Sequence, residues 1–296
     1  MKHTITVTLL LLGLFFFAQL IGLFVVHAYI NQEETQKTGN LTWNPAPQIL
    51  GVQLERPDID PAYSVPYILS GVLIGTLIVL ILIRYRKVSV WKTWFYIAVV
   101  ICLTYAFGAF TFIPGLIALI ISLLLGYFKV FKPNVYVHNF TELFLYAGMA
   151  SIFVPVINLL SIIILLLLIS AYDFYAVYKS KHMITMAKFQ SEAKVFAGLF
   201  IPYEKIHIED VTRMGVNKKV RHAILGGGDI AFPLLFAGVI LKDYGFLLSL
   251  IVPIFTTLAL SWLLFNGEKE KFYPAMPIIS VGCFLGWGVV WLINII

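Results

Sequence analysis

The sequence predicts an all-α membrane protein with nine transmembrane helices. Of its 296 residues, 60% are hydrophobic and only 12% are charged, whereas a soluble domain has roughly 45–50% apolar and about 25% charged residues. The apolar residues lie in long uncharged runs, and about 20 such residues suffice for a helix to cross a bilayer. The composition therefore excludes a soluble globular domain. It also excludes a disordered chain, because disorder requires low hydrophobicity.

The first predicted span lies close to the N-terminus, where the chain resembles a secretory signal peptide. Thr4–Val26 holds 23 residues without a charge, which exceeds the hydrophobic region of about 7–15 residues in a signal peptide. We therefore interpret it as a span that the protein keeps. Residues 31–62 follow as a polar loop, and its four prolines oppose a regular helix there.

Charges and helix-breaking residues divide the rest of the chain into eight more spans. The uncharged run Thr93–Phe128 has 36 residues, which is too long for one span, so Gly108 and Pro114 mark a break within it. Pro155 and Asn158 mark the turn between spans five and six. Spans two to nine are then Tyr63–Ile83, the two parts of Thr93–Phe128, the two parts of His138–Tyr178, Gly226–Lys242, Tyr244–Phe265, and Pro277 to the C-terminus.

The basic residues predict how this layout is oriented. With the N-terminus inside, 18 of the 21 Lys and Arg residues lie in inside segments, and only Lys37, Arg56 and Lys242 lie outside. Cytoplasmic loops of membrane proteins carry such an excess. We therefore predict a multi-pass protein of the cell membrane with a cytoplasmic N-terminus and an extracytoplasmic C-terminus. The basic loops also account for the net charge of +6 without a nucleic-acid partner.

The layout divides the chain into three segments. Residues 1–178 form a part with six spans, residues 179–222 a cytoplasmic loop, and residues 223–296 a part with three spans.

Three acidic residues fall within the predicted spans. Glu142 lies at the inner end of span five, where an acid favours a helix N-terminus, so we expect it at the membrane interface. Asp173 lies six residues before Lys179, or about 9 Å from the inner boundary at ~1.5 Å per residue. Asp229 lies at the inner end of span seven. Ionisable residues in apolar spans mark functional sites by default. The alternative, two helix-end acids bonded to neighbours, leaves the matched depth of the two aspartates unexplained.

Two carboxylates that meet in a medium of low dielectric constant cannot both ionise easily, so they share a proton. One then acts as an acid and the other as a base. Such a pair can activate water and hydrolyse an amide. This chemistry requires no metal and no other cofactor.

The residues around Asp229 indicate an irregular site. Gly226-Gly227-Gly228 precedes it, and glycines permit a close approach of another chain. Pro233 has no N–H, so the carbonyl of Asp229 loses its helical partner. A broken helix in a membrane is tolerated where it lines a water-containing cavity. The alternative is that the glycines only pack helices closely.

At these residues the chain resembles the GxGD intramembrane aspartyl proteases, and within them the presenilin family. Tyr172-Asp173 is similar to the YD motif of span six, and Gly226–Asp229 is similar to the GxGD motif of span seven. Pro274–Met276 is similar to the PAL motif before span nine, with Met in place of Leu. The nine predicted spans extend the resemblance over the whole chain. The short length is typical of a microbial homologue, such as an archaeal one.

Two related groups resemble the chain less. Signal peptide peptidases share the motifs but have the opposite orientation, against which the basic residues argue. Prepilin peptidases also use two aspartates and a GxGD motif, but they have a shorter layout and lack the PAL motif.

The resemblance implies the roles of individual residues. Asp173 and Asp229 would be the catalytic pair. The substrates would be single-span membrane proteins, cleaved within or near the lipid bilayer. The residues implied to bind or position substrate are Tyr172, Gly226, Gly227, Gly228, Pro274, Ala275 and Met276.

A helical substrate must unwind before its peptide bond can be cleaved, and the unwound backbone then needs new partners in the membrane. An exposed strand of the enzyme would supply them, and Lys219–Leu225 is the candidate segment. A proton- or cation-coupled transporter or channel remains the alternative function, because paired intramembrane acids also serve ion pathways.

Overall fold

The computed structural model describes residues 4–85, 87–180, 196–202, 222–267 and 273–295. Helices dominate this part of the chain, and each predicted span coincides with an apolar helix. The first loop contains one short additional helix, α2, and a four-residue helix, α9, leads into α10. The helices are α1 (Ile5–Ala28), α2 (Gln32–Thr38), α3 (Ser64–Arg84), α4 (Val88–Gly108), α5 (Gly115–Val130), α6 (Val135–Phe153), α7 (Leu159–Tyr175), α8 (Gly227–Tyr244), α9 (Phe246–Ser249), α10 (Ile251–Asn266) and α11 (Met276–Ile295).

Within the described residues, seven helices are long and apolar enough to cross a membrane. They are α1, α3, α4, α6, α7, the combined α9 and α10, and α11. Helix α5 is apolar but has only 16 residues, and α8 carries Asp229, Lys242 and Asp243 among its 18 residues. The structure thus shows a polytopic membrane protein, while the count of nine spans and the orientation stay predictions.

Two short hairpins add strands that the prediction of an all-α fold omits, although residues 222–225 of one strand belong to the candidate strand segment Lys219–Leu225. Strands β1 (Gln48–Ile49) and β2 (Val52–Gln53) pair in the first loop. Strands β3 (Gly198–Pro202) and β4 (His222–Gly226) pair antiparallel, directly before α8. The second hairpin joins residues about 20 positions apart, so no local pattern in the sequence reveals it. Residues 181–195 and 203–221 of the predicted loop lie outside the described residues.

The polar first loop is anchored on one end of the bundle. The guanidinium of Arg56 donates to the carbonyls of Ser151 at 3.2 Å and Asn44 at 3.0 Å, and it lies 4.7 Å from the ring centroid of Tyr29. The prediction that this loop has no regular helix is wrong for α2, because Asn31 caps the helix at its start and Gly39 ends it with a positive φ.

The helices that carry the candidate motifs form the centre of the bundle. Helix α8 packs against α1, α6, α7 and α11, and α11 also packs against α7. Most of the central part of α8 is buried, including Leu234, Phe236 and Val239. Helix α3 lies at the periphery, with most of its surface exposed. The fold therefore surrounds α8 with the other elements that carry predicted site residues.

Candidate active site

Asp173 lies near the C-terminal end of α7. The amide oxygen of Asn158 accepts a hydrogen bond from the backbone N–H of Ser161 at 2.8 Å and so caps the start of this helix. The apolar run of residues 162–169 then carries the helix towards Tyr172 and Asp173. The Asp173 side chain is only 7% exposed, and Tyr172 beside it is partly buried. An acid at such a position needs polar partners.

Those partners come from the PAL-like motif. The backbone N–H of Met276 donates to Oδ2 of Asp173 at 3.1 Å, and the backbone amide of Ala275 also interacts with this carboxylate. Pro274, Ala275 and Met276 are all buried. Two of the three predicted motifs are therefore in direct contact.

A second contact shows how α7 and α11 are aligned. The hydroxyl oxygens of Ser170 and Ser280 lie 2.9 Å apart. Ser170 precedes Asp173 by one turn, whereas Ser280 follows Met276 by one turn. The two helices are thus antiparallel, and the C-terminal end of α7 meets the N-terminal end of α11.

Asp229 lies in the first turn of α8, where the helix dipole favours a carboxylate. Its side chain folds back towards Gly226, since a Cβ atom placed on Gly226 would lie 3.2 Å from Oδ2 of Asp229. A Cβ atom on Gly227 would lie only 2.5 Å from the hydroxyl oxygen of Tyr146. Gly228 is exposed, and a Cβ atom there would meet Phe232 at an ordinary 3.6 Å. The two glycines that neighbours crowd are therefore Gly226 and Gly227.

The hairpin of β3 and β4 contacts the turn formed by Gly226–Gly228 from the side opposite Tyr146. The backbone N–H of Gly227 donates to the carbonyl of Ala197 at 3.1 Å, and Gly198 is the register partner of Gly226. Gly198 has a φ of +144°, and a Cβ atom there would lie 2.2 Å from the carbonyl oxygen of Leu225. Only glycine fits this position.

A buried polar cluster that the sequence did not predict lies beside this turn. Lys129 at the end of α5 donates to Oε1 of Glu142 on α6, and the hydroxyl of Tyr146 donates to Oε2 of Glu142. His138, one turn before Glu142, donates through Nε2 to the carbonyl of Gly198 at 2.7 Å. The sequence does contain a signal for this cluster. A spacing of four residues separates His138, Glu142 and Tyr146, which places their side chains on one helix face.

This cluster corrects one expectation. Glu142 is fully buried and ion-paired, so its carboxylate does not face water at the membrane interface as expected. His138 also belongs to α6 and is mostly buried. For both residues the partner that permits burial comes from another element.

A comparison with known protein families identifies the family to which the three motifs belong. The family described as signal-peptide peptidase, presenilin aspartyl protease matches residues 41–296. The chain belongs to this family. The resemblance inferred from the YD, GxGD and PAL motifs is thereby confirmed.

Solved structures with the same fold agree with this membership. One, a presenilin family intramembrane aspartate protease in space group P2, matches over 96% of both chains with a TM-score of 0.58 and 21% identity. Another, described in the same words but in space group C222, covers 97% of this chain and 99% of that chain, with a TM-score of 0.61 and 20% identity. No curated protein matches the chain.

Membership in the signal-peptide peptidase and presenilin aspartyl protease family makes the protein an intramembrane aspartic endopeptidase and a multi-pass membrane protein. The structure also shows how the three motifs are arranged in space. It joins Asp173 to the PAL-like residues, and it holds the GxGD turn between the hairpin and Tyr146.

Proposed function

We propose that Asp173 and Asp229 form the catalytic dyad of this endopeptidase and that it cleaves single-span membrane proteins. The observation that carries the proposal is the buried Asp173 carboxylate bound by the backbone amide of Met276. It joins the YD motif to the PAL-like motif, and α8, which begins with the GxGD turn, packs against both helices. An ionisable residue within an apolar span marks a functional site by default.

The reaction follows from two carboxylates that share one proton. One carboxylate takes a proton from a water molecule while the water oxygen bonds to the scissile carbonyl carbon. The other donates its proton to the carbonyl oxygen, which produces a tetrahedral diol. The C–N bond then breaks as the amine takes a proton from the first carboxyl group. A hydroxyl group of the diol returns its proton to the second carboxylate, which leaves the carboxylic acid product and restores the shared proton. The amides of Ala275 and Met276 would hold Asp173 in one orientation during these steps.

The hairpin offers an edge for the unwound substrate. Asn139 bonds both backbone groups of Phe200, at 3.0 Å to its N–H and 2.8 Å to its carbonyl. Phe200 and its register partner Ile224 therefore form a non-hydrogen-bonded pair, and the backbone groups of Ile224 point away from β3. Within the described residues, no backbone group of another element pairs with this edge. An extended substrate would add a strand here.

The same proposal includes the membrane layout. We propose nine spans with the N-terminus in the cytoplasm, which places Asp173, Asp229 and Met276 towards the cytoplasmic side. The antiparallel contact of α7 and α11 supports this, because it brings two helix ends with site residues to the same end of the bundle. Lys242, near the C-terminal end of α8, bonds the carbonyl of Ile157 just before α7, so the start of α8 lies at that end too.

The test uses the full chain in lipid nanodiscs with a single-span peptide as substrate and mass spectrometry of the products. Wild type should cleave the peptide within its hydrophobic segment, and Asp173→Asn and Asp229→Asn should each abolish cleavage. Asp243→Asn is the matched control, because Asp243 lies at the opposite end of α8 from Asp229. Transition-state mimics with a hydroxyl group should inhibit wild type.

The same preparation tests the alternative function. If the wild-type protein cuts no membrane peptide, while proton or cation flux in liposomes depends on Asp173 and Asp229, the protein is a transporter or channel. Retained cleavage in either asparagine variant would contradict the dyad.

A further inference from the structure

The buried cluster on α6 has no explanation in stability alone. Lys129 is 2% exposed and Glu142 is 0% exposed, so both charges are removed from water. Replacing a buried ion pair by apolar residues of similar size is often neutral or stabilising. Ionisable residues inside a membrane bundle are costly, and they usually mark a function.

The cluster ends at the turn that precedes Asp229. Glu142 has two acceptor oxygens, and one binds Lys129 while the other binds the hydroxyl of Tyr146. This fixes the position of the Tyr146 hydroxyl. That hydroxyl fills the space where a side chain at position 227 would lie, 2.5 Å from a Cβ placed there. Gly227 is the first residue of α8, so Tyr146 contacts the backbone two residues before Asp229.

The same helix face contacts the other side of the turn. His138 bonds the carbonyl of Gly198 at 2.7 Å, and Gly198 pairs with Gly226 in the hairpin. Because a carbonyl oxygen only accepts, the His138 proton lies on Nε2. Its Nδ1 is then an acceptor for Nζ of Lys129, 3.4 Å away. Lys129 therefore contacts two members of the stripe formed by His138, Glu142 and Tyr146, and it reaches Tyr146 only through Glu142.

We infer that Tyr146 and Glu142 are positioning residues for Asp229, with Lys129 as the cation that orients them. They act through the backbone of Gly226 and Gly227 rather than on the substrate. This inference rests on the proposed role of Asp229 in catalysis. It adds a buried support on α5 and α6 that connects the GxGD turn to the body of the bundle.

Tyr146→Phe removes only the hydroxyl and is the direct test. A displacement of about 1 Å at a reacting group costs on the order of 100-fold in rate, so we expect kcat to fall ~10- to 100-fold. KM should stay within about twofold of the wild-type value, because no substrate contact is lost. Tyr105→Phe is the matched control, since it removes a buried hydroxyl that bonds the carbonyl of Glu55 in the first loop. The control should keep the wild-type kcat.

A double variant distinguishes a loss of active-site positioning from a loss of folding stability. Lys129→Met combined with Glu142→Met removes both charges and keeps long apolar side chains, so its melting temperature should not fall. Its kcat should fall as in Tyr146→Phe, because the hydroxyl has lost its acceptor. A double variant that melts like wild type and cleaves with wild-type kcat would overturn the inference.

Asp229→Asn is measured in the same assay, so that two failures remain distinct. If Asp229→Asn cleaves normally, the proposed dyad is wrong. If Asp229→Asn is inactive while Tyr146→Phe keeps the wild-type kcat and KM, the dyad stands and the positioning role of Tyr146 is wrong.

Discussion

The backbone N–H of Met276 donates a hydrogen bond to Oδ2 of Asp173 at 3.1 Å, across 103 positions of sequence. Met276 is the first residue of α11, and the first amides of a helix have no partner within it. The positive end of the helix dipole favours a carboxylate at this place. One of the two proposed catalytic acids is thus oriented by the start of another helix.

Met276→Pro tests this contact, because it removes the N–H and leaves a residue that helix starts accept. A hydrogen bond to a charged group contributes about 1.5–3 kcal/mol, so we expect cleavage to slow about 10- to 100-fold. Met276→Leu is the control, since it keeps the amide and a similar volume. It should cleave at nearly the wild-type rate. Full activity of the proline variant would show that this bond is dispensable.

Ile224→Pro tests whether the substrate pairs with β4. The outward N–H of Ile224 would be lost, while the bonds between β3 and β4 would remain, and an edge strand tolerates proline on this side. We expect cleavage to fall and the melting temperature to change little. Ile224→Val keeps the amide and serves as the control. If the proline variant processes the peptide as fast as the valine variant, strand addition at this edge is not part of the reaction.

Gly148→Ala tests the packing of α4 against α6. A Cβ atom at position 148 would lie 1.7 Å from the carbonyl oxygen of Cys102, so the two helices would have to separate. Overpacking of this kind costs about 1–3 kcal/mol, and the melting temperature in detergent should drop. Gly75→Ala on α3 is the control, because no atom lies within 4 Å of its added Cβ. The control should melt at the wild-type temperature or above it. Equal melting of both variants would contradict the packing.

Single cysteines test the predicted membrane layout. Glu34 and Lys132 are exposed, and three predicted spans separate them. In right-side-out vesicles, a membrane-impermeant maleimide should label Glu34→Cys directly and Lys132→Cys only after the membrane is opened. The native Cys283 is buried and Cys102 is only partly exposed, so their background labelling should be low. Labelling of Lys132→Cys in intact vesicles would exclude the proposed orientation.

Sequence alone determined the membrane class, the positions of the helices and the two candidate acids. Hydropathy is informative because the lipid bilayer offers no hydrogen-bond partners to the backbone, so the spans are formed mainly by continuous helices with few charges. The turn at Asn158 and the start of α8 at Gly227 were predicted almost to the residue. The three motifs that identify the family are also local, so each is visible within a few positions.

Only the tertiary structure decided which distant groups meet. Glu142 was visible in the sequence as an acid in a predicted span, but its partner Lys129 lies on another helix, so its burial was not predicted. The pairing of β3 with β4 and the bond from Met276 to Asp173 were hidden for the same reason. Sequence patterns report the burial of one element at a time, whereas these contacts depend on how separate elements pack. The support of the active-site turn therefore had to be read from the fold.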